Sequence, residues 1–186
     1  MGMEESMRNP VLAIVFVAAV GYGLFNALGH GRSDKPMAIP AAAPGASQTA
    51  PRAMTENVVA YSTEDKSMQA AKNKGHSTLP RFHELMAAGT PGTYTVKFPL
   101  TQNGATEHIW MQLTGLGDGT FIGLLADEPV NGTKYKMGDR MTVEEADVED
   151  WMVKNGGEVY GGYTVRQAFA DMPKEQAAKY GITFKD

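Results

Sequence analysis

Two hydrophobic periods divide the chain, and the change from one to the other sets its layout. Ser62-Thr63-Glu64-Asp65 has the form of a capping box with aspartate in its last place, and Met68 and Ala71 follow at helical spacing. This predicts a helix over about residues 63–74, stopped by Gly75. Thr78 or Ser77 can cap a second helix. Pro80 suits its first turn, and Leu79, Phe82, Leu85 and Met86 fall on one face before Gly89.

From Gly92 the period shortens to two. Tyr94, Val96, Phe98 and Leu100 point one way while Thr95 and Lys97 point the other, as a half-buried strand requires. Asn103-Gly104 turns the chain into a second strand. There Ile109, Met111 and Leu113 share one face, and His108, Trp110 and Gln112 share the other. Asp118-Gly119 leads to a third strand over Thr120 to Leu125. A fourth is expected over Arg140 to Val143, entered through Lys136 to Asp139, and a fifth over Trp151 to Lys154. Gly156-Gly157 and Gly161-Gly162 supply turns. Thr164 is placed to cap a last helix that carries Val165, Ala168, Phe169 and Met172 on one face, and Pro173 opens a further helical turn. The predicted fold is α+β, a curved antiparallel sheet of about five strands flanked by N-terminal and C-terminal helices.

Ahead of this domain the pattern is different. Residues 10–29 carry no charge, and they are long enough to cross a bilayer, which takes roughly 20 apolar residues. An N-terminal transmembrane helix is expected over this stretch. A cleaved secretory signal, with Ala27-Leu28-Gly29 as its cleavage site, is the alternative. Residues 31–55 are rich in Pro, Ala, Gly and Ser and hold almost no large apolar side chain, so they read as a flexible tether. The expected division is therefore 1–30 anchor or signal, 31–55 tether and 56–186 globular domain.

Composition narrows the function classes. The net charge of −4 provides no basic surface to neutralise phosphates, so a nucleic-acid partner is not expected. The absence of cysteine removes disulfides, thiolate nucleophiles and zinc–cysteine sites. The glycines at positions 115, 117 and 119 lie between two alternating strands and open no helix, so they make a hairpin turn and not a dinucleotide loop. The acids from Glu144 to Asp150 lack the glycine and the spacing of a calcium loop. His76 and His83 flank Pro80, which breaks the helical phase that would bring them together. No metal and no cofactor are implied.

The densest chemistry lies in DVEDWMVKNGGEVYGGYTVR, Asp147 to Arg166. Together with Glu107-His108-x-Trp110-Met111, Phe121-x-Gly123-x-Leu125 and Gly138-Asp139, its Asp150-Trp151-Met152 and Gly-Gly-Tyr-Thr-Val-Arg166 resemble the YegJ-like family. This is a bacterial family of small proteins with no established activity. The resemblance spans roughly residues 60 to 170. It implies an exported domain, and it transfers no catalytic residue. The basic residues around the apolar stretch, Arg8 before it and Arg32 and Lys35 after it, by themselves leave orientation nearly neutral or slightly favour an interior carboxyl-terminal domain.

Two functions follow as expectations. The first is a membrane-tethered extracytoplasmic binding module, anchored in the inner membrane through residues 10–29 and engaging an envelope protein or a small ligand. Its face is drawn from Glu107, His108, Trp110, Asp150, Trp151, Tyr163 and Arg166, with Tyr160 beside them, because Trp, Tyr and Arg dominate interfaces. The competing reading buries both tryptophans in the core. The second is a small hydrolase or isomerase using His108 with Glu107 or Asp150 as its carboxylate. Arg166 is expected to pair with Asp150 or Asp147.

Overall fold

A computed structural model describes residues 12–16, 58–62 and 65–186. The first two segments are backbone strands, β1 (Leu12–Phe16) and β2 (Val58–Ser62), paired antiparallel. The rest of the expected span and the tether lie outside the described residues. Among those residues no helix is long and apolar enough to cross a membrane.

The domain begins with α1 (Lys66–Ser77) and α2 (Leu79–Ala87). The cap of α1 is Asp65, whose carboxylate accepts from the Met68 amide at 2.9 Å, so the expected box at Ser62 gives way to a start three residues later. Gly75 does not end this helix. It lies inside α1, and the helix turns off at Thr78, whose amide and hydroxyl both donate to the Lys74 and Gly75 carbonyls. The Trp151 indole N–H in turn donates to the Thr78 hydroxyl at 3.0 Å and pins the elbow between the helices to the sheet.

The sheet strands are β3 (Thr93–Gln102), β4 (Ala105–Leu116), β5 (Thr120–Leu125), β6 (Arg140–Glu144), β7 (Asp150–Asn155), β8 (Glu158–Gly161) and β9 (Thr183–Lys185). With β1 and β2 they form one sheet in the order β2-β1-β4-β3-β7-β8-β9, and β5 and β6 branch from β4. All of these pairs are antiparallel except β1 with β4 and β8 with β9. The α+β fold is thus as expected, with an open, mostly antiparallel sheet. The expected set of strands omitted β8 and β9, which are too short to show a period. The helices α3 (Tyr163–Asp171) and α4 (Lys174–Ala178) separate them.

Alternation along the strands gives the sheet two faces, and helices cover both. On one face Val96, Phe98, Ile109, Met111, Phe121, Trp151 and Val153 pack under Leu79, Phe82, Leu85 and Met86 of α2. Phe82 is fully buried, with ring centroids 5.1 Å from Trp151 and 5.8 Å from Phe121. On the other face Trp110 packs with Met68 of α1 and with Val165 and Ala168 of α3.

Candidate functional site

The buried stripe of α1 is Met68, Lys72 and Gly75, with Ala71 half-buried beside them, spaced as one helical face. Its last member explains the geometry. A Cβ on Gly75 would lie 2.5 Å from the Glu149 carbonyl oxygen and 2.8 Å from the Asp150 Cα, so only glycine lets the helix rest on the start of β7. That contact sets Lys72, one turn earlier, against Glu149.

Lys72 Nζ lies 3.2 Å from Glu149 Oε1, and 3.2 and 3.1 Å from the two nitrogens of His108. His108 Nδ1 lies 2.7 Å from Glu149 Oε2. A carboxylate only accepts and an ammonium only donates. The arrangement that satisfies every atom is therefore Nδ1–H donating to Glu149, with Nε2 accepting from Lys72. Burial pushes the Glu149 carboxyl up, but the hydrogen bond from His108, the charge that imidazole carries when protonated, and Lys72 outweigh it and hold the group below its ordinary range.

Lys72 and Glu149 floor an open hollow of about 340 Å³ that is bordered by Gln69, Asn73, His76 and Asp147. A second hollow of about 460 Å³ continues from it past His76 and Ala146 to Pro80, His83 and Glu145. Together they form a trough between the α1–α2 elbow and the Glu145–Glu149 segment. On its banks the His76 Nδ1–H donates to the Val148 carbonyl at 2.8 Å, and His83 pairs with Glu145 at 3.2 Å. Among the described residues no three His, Asp or Glu side chains converge as a metal site would require.

Behind the trough a second polar cluster is wholly enclosed. Strand register sets Trp110, Lys97 and Asp150 abreast across β4, β3 and β7. Lys97 and Asp150 are fully buried. Asp150 Oδ1 accepts from the amides of Trp151 and Tyr163, and Oδ2 accepts from both the amide and the hydroxyl of Thr164 at 2.7 Å. The carboxylate thus caps α3 from a neighbouring strand. Thr164 does not cap this helix: the N-cap is Gly162, in the left-handed region at φ 64°. Lys97 donates to the Thr164 hydroxyl at 3.4 Å and stands 5.5 Å from the centroid of the Trp110 ring. Burial pulls the Lys97 ammonium down to about 8, against the opposing pull of Asp150 and Glu149, and burial also pushes the Asp150 carboxyl up. Asp127, which accepts from the Trp110 amide at 3.2 Å, is pushed up by burial to about 6.

The face expected from the sequence is therefore not a single surface. Trp110 and Trp151 are buried on opposite sides of the sheet, because successive helices cover both faces. Glu107 and His108 also point to opposite sides. Glu107 accepts from the amides of Val130 and Asn131 and holds their loop, so the partner of His108 is Glu149. Arg166 meets neither Asp150 nor Asp147. It donates to the Gly161 and Lys185 carbonyls, pairs with Asp186 at 3.3 Å and covers the Tyr163 and Phe184 rings, which fastens the C-terminal strand. Tyr163 stands edge-on to Trp151, and Tyr160 is half-buried against the same core. Sequence reasoning missed Lys72, Lys97, Asp127 and Glu149. The available signals were Lys72 completing the helical stripe after Met68, and Lys97 placed between Val96 and Phe98 in a cleanly alternating strand.

Residues 65–184 match the bacterial family described as "Uncharacterized protein conserved in bacteria (DUF2314)". The chain belongs to this family. The match takes in every residue of both polar clusters. The uncharacterized protein YegJ of Escherichia coli (strain K12) is 30% identical over 124 residues, covering 67% of this chain and 81% of that protein. A putative ankyrin repeat protein of Neisseria meningitidis serogroup B is 34% identical over 100 residues, covering 49% of this chain and 39% of that protein. No solved structure matches.

Proposed function

We propose that the domain is a binding module whose trough takes a small polar ligand, held off a membrane by residues 10–29 and the tether on the extracytoplasmic side. One observation carries the ligand reading: the Lys72 ammonium and the Glu149 carboxylate stand 3.2 Å apart on the lining of an open hollow, with the His108 imidazole within 3.2 Å of both. Such a floor offers a donor and an acceptor to a polar molecule, and Gln69, Asn73 and His76 supply further groups at its rim. The charge-free run of residues 10–29 supports the tether. Ligand-observed NMR against a panel of amino acids, dicarboxylates and sugars should give binders that Lys72→Met or Glu149→Gln loses while circular dichroism is unchanged. Binders indifferent to both substitutions would remove the trough from the proposal. A C-terminal reporter active only after export should be active, and a silent one would remove the extracytoplasmic placement.

The second reading, a small hydrolase or isomerase, draws on the 2.7 Å contact of His108 with Glu149 as a base held by a carboxylate. It requires an imidazole nitrogen that faces substrate, whereas Lys72 stands within 3.2 Å of both. A His108 titration curve left unmoved by Glu149→Gln would end this reading.

A further inference from the structure

Strand β6 closes one end of the sheet, and its outer edge is open. It pairs with β5 on one side and, among the described residues, with nothing on the other. The direction of its backbone groups follows from the ladder. Thr120 faces Glu144, Ile122 faces Thr142 and Leu124 faces Arg140. The bonds from Leu125 N–H to the Asp139 carbonyl and from Glu145 N–H to the Gly119 carbonyl bracket these as the non-hydrogen-bonded pairs. Met141 and Val143 therefore use their amides and carbonyls on β5, while those of Arg140, Thr142 and Glu144 point away from the sheet. The side chains of these three residues are exposed, and among the described residues no hydrogen bond or ion pair engages them.

An open edge is a template for another strand. The sequence of this one, Arg-Met-Thr-Val-Glu, is complementary to itself when reversed. We propose that β6 pairs antiparallel with β6 of a second copy of this chain, about a two-fold axis through Thr142. In that register Arg140 meets Glu144 at each end, Thr142 meets Thr142 on the axis, and Met141 meets Val143 on the other face. The residues with free backbone groups are then the ones that face each other, so every outward N–H finds a carbonyl. Parallel pairing in register would set Arg140 against Arg140 and Glu144 against Glu144. Same-signed charges along an edge would repel a second copy; this pair of opposite charges, placed symmetrically about the central residue, attracts one. Leu124, 40% exposed beside Arg140, adds apolar surface to the same seam. A ladder of one short strand buries less than a standard stable interface, so the dimer is of the transient class.

The chain has no cysteine, which makes the register directly testable in cells producing the full chain. With a short membrane-permeant bismaleimide, Thr142→Cys should yield a dimer band on a denaturing gel that Glu175→Cys, at an exposed site in α4, does not yield. Arg140→Cys or Glu144→Cys alone should give none, because their like thiols lie about 13 Å apart along the paired strands. Mixed Arg140→Cys and Glu144→Cys chains should crosslink. Adding Arg140→Glu to Thr142→Cys should lose the band, and adding Glu144→Arg to that pair should restore it. No band from Thr142→Cys, an equal band from Glu175→Cys, or a mixed pair that fails to link would overturn the proposal.

Discussion

The two faces of the sheet are both buried, yet they are built from opposite chemistry. Under α2 the contacts are aromatic and aliphatic, with Phe82, Phe121, Trp151 and Val153 close to fully buried. Under α1 and α3 a comparable space holds Lys97, Asp150 and His108 beside Trp110. An apolar face gains by leaving water and tolerates imperfect geometry. A charged face gains only if each group finds its partner, because an unpaired buried charge is costly. The second face therefore specifies where α1 and α3 must sit, and the trough that it backs inherits that placement.

The largest test of this contrast is removal of one charge. Asp150→Asn replaces an acceptor of four hydrogen bonds with a group half of which is a donor, and it leaves Lys97 unbalanced. A loss of about 3–5 kcal/mol in denaturant unfolding is expected. Lys97→Met should cost a similar amount, and the double variant much less than their sum, because the pair is then absent together. Phe82→Ala should also cost about 3–5 kcal/mol, as a cavity does. Its loss should be constant between pH 5 and pH 9, whereas that of Lys97→Met should grow above pH 8. Lys97 has its folded value depressed to about 8, so its burial penalty is present below that pH and is relieved as pH rises toward the ordinary lysine range. Equal pH behaviour of the two variants would mean that the faces do not differ in kind.

The same contrast explains what could be read from the residues alone. Tyr94, Val96, Phe98 and Leu100, then Ile109, Met111 and Leu113, alternate cleanly, so the strands and the α2-covered core were legible. The alternation set Lys97, His108 and Trp110 on the face opposite the α2-covered core, which was correct as a direction; burial was foreseen there for Trp110 but not for Lys97 and His108. Nothing local tells a strand that a helix many residues away will cover its polar side. The closure depends on Gly75, which reads as a helix stop from its own propensity and is in fact the point where α1 touches β7. Glu149 and Lys72 are 77 positions apart, so their pairing is a property of that crossing and of no motif.

Gly75→Ala gives the next largest effect and sharpens the contrast by moving a helix without removing a charge. Alanine favours the helix by about 1 kcal/mol over glycine, but the added methyl has the Glu149 and Asp150 backbone against it, together with the Asp150 Oδ1 that two amides hold in place. The helix must lift, and a net loss of about 1–3 kcal/mol is expected. The 3.2 Å contact of Lys72 with Glu149 should lengthen with it, seen as altered His108 ring resonances in NMR. A variant more stable than the parent with His108 unchanged would show that α1 does not depend on this contact.

The smallest expected effect is also the most specific to the polar face. Burial first, then the nearby Glu107, raises the Asp127 carboxyl to about 6, against the Trp110 amide and Lys97, which lower it. A carboxyl whose folded value is raised stabilises the fold fully below its unfolded value near 4, and that contribution is lost as pH rises through about 6. Asp127→Asn keeps an oxygen that can accept from Trp110 but cannot titrate. Unfolding free energies measured from pH 7 down to pH 4 should therefore show the parent gaining on the variant, by no more than about 2 kcal/mol once partial solvent screening is allowed for. The opposite slope belongs to Glu149, held low by His108 and Lys72, and is common to parent and variant, so it cancels in the difference. A difference that stays flat across that range would place Asp127 in water and confine the buried charge of this face to Lys97 and Asp150.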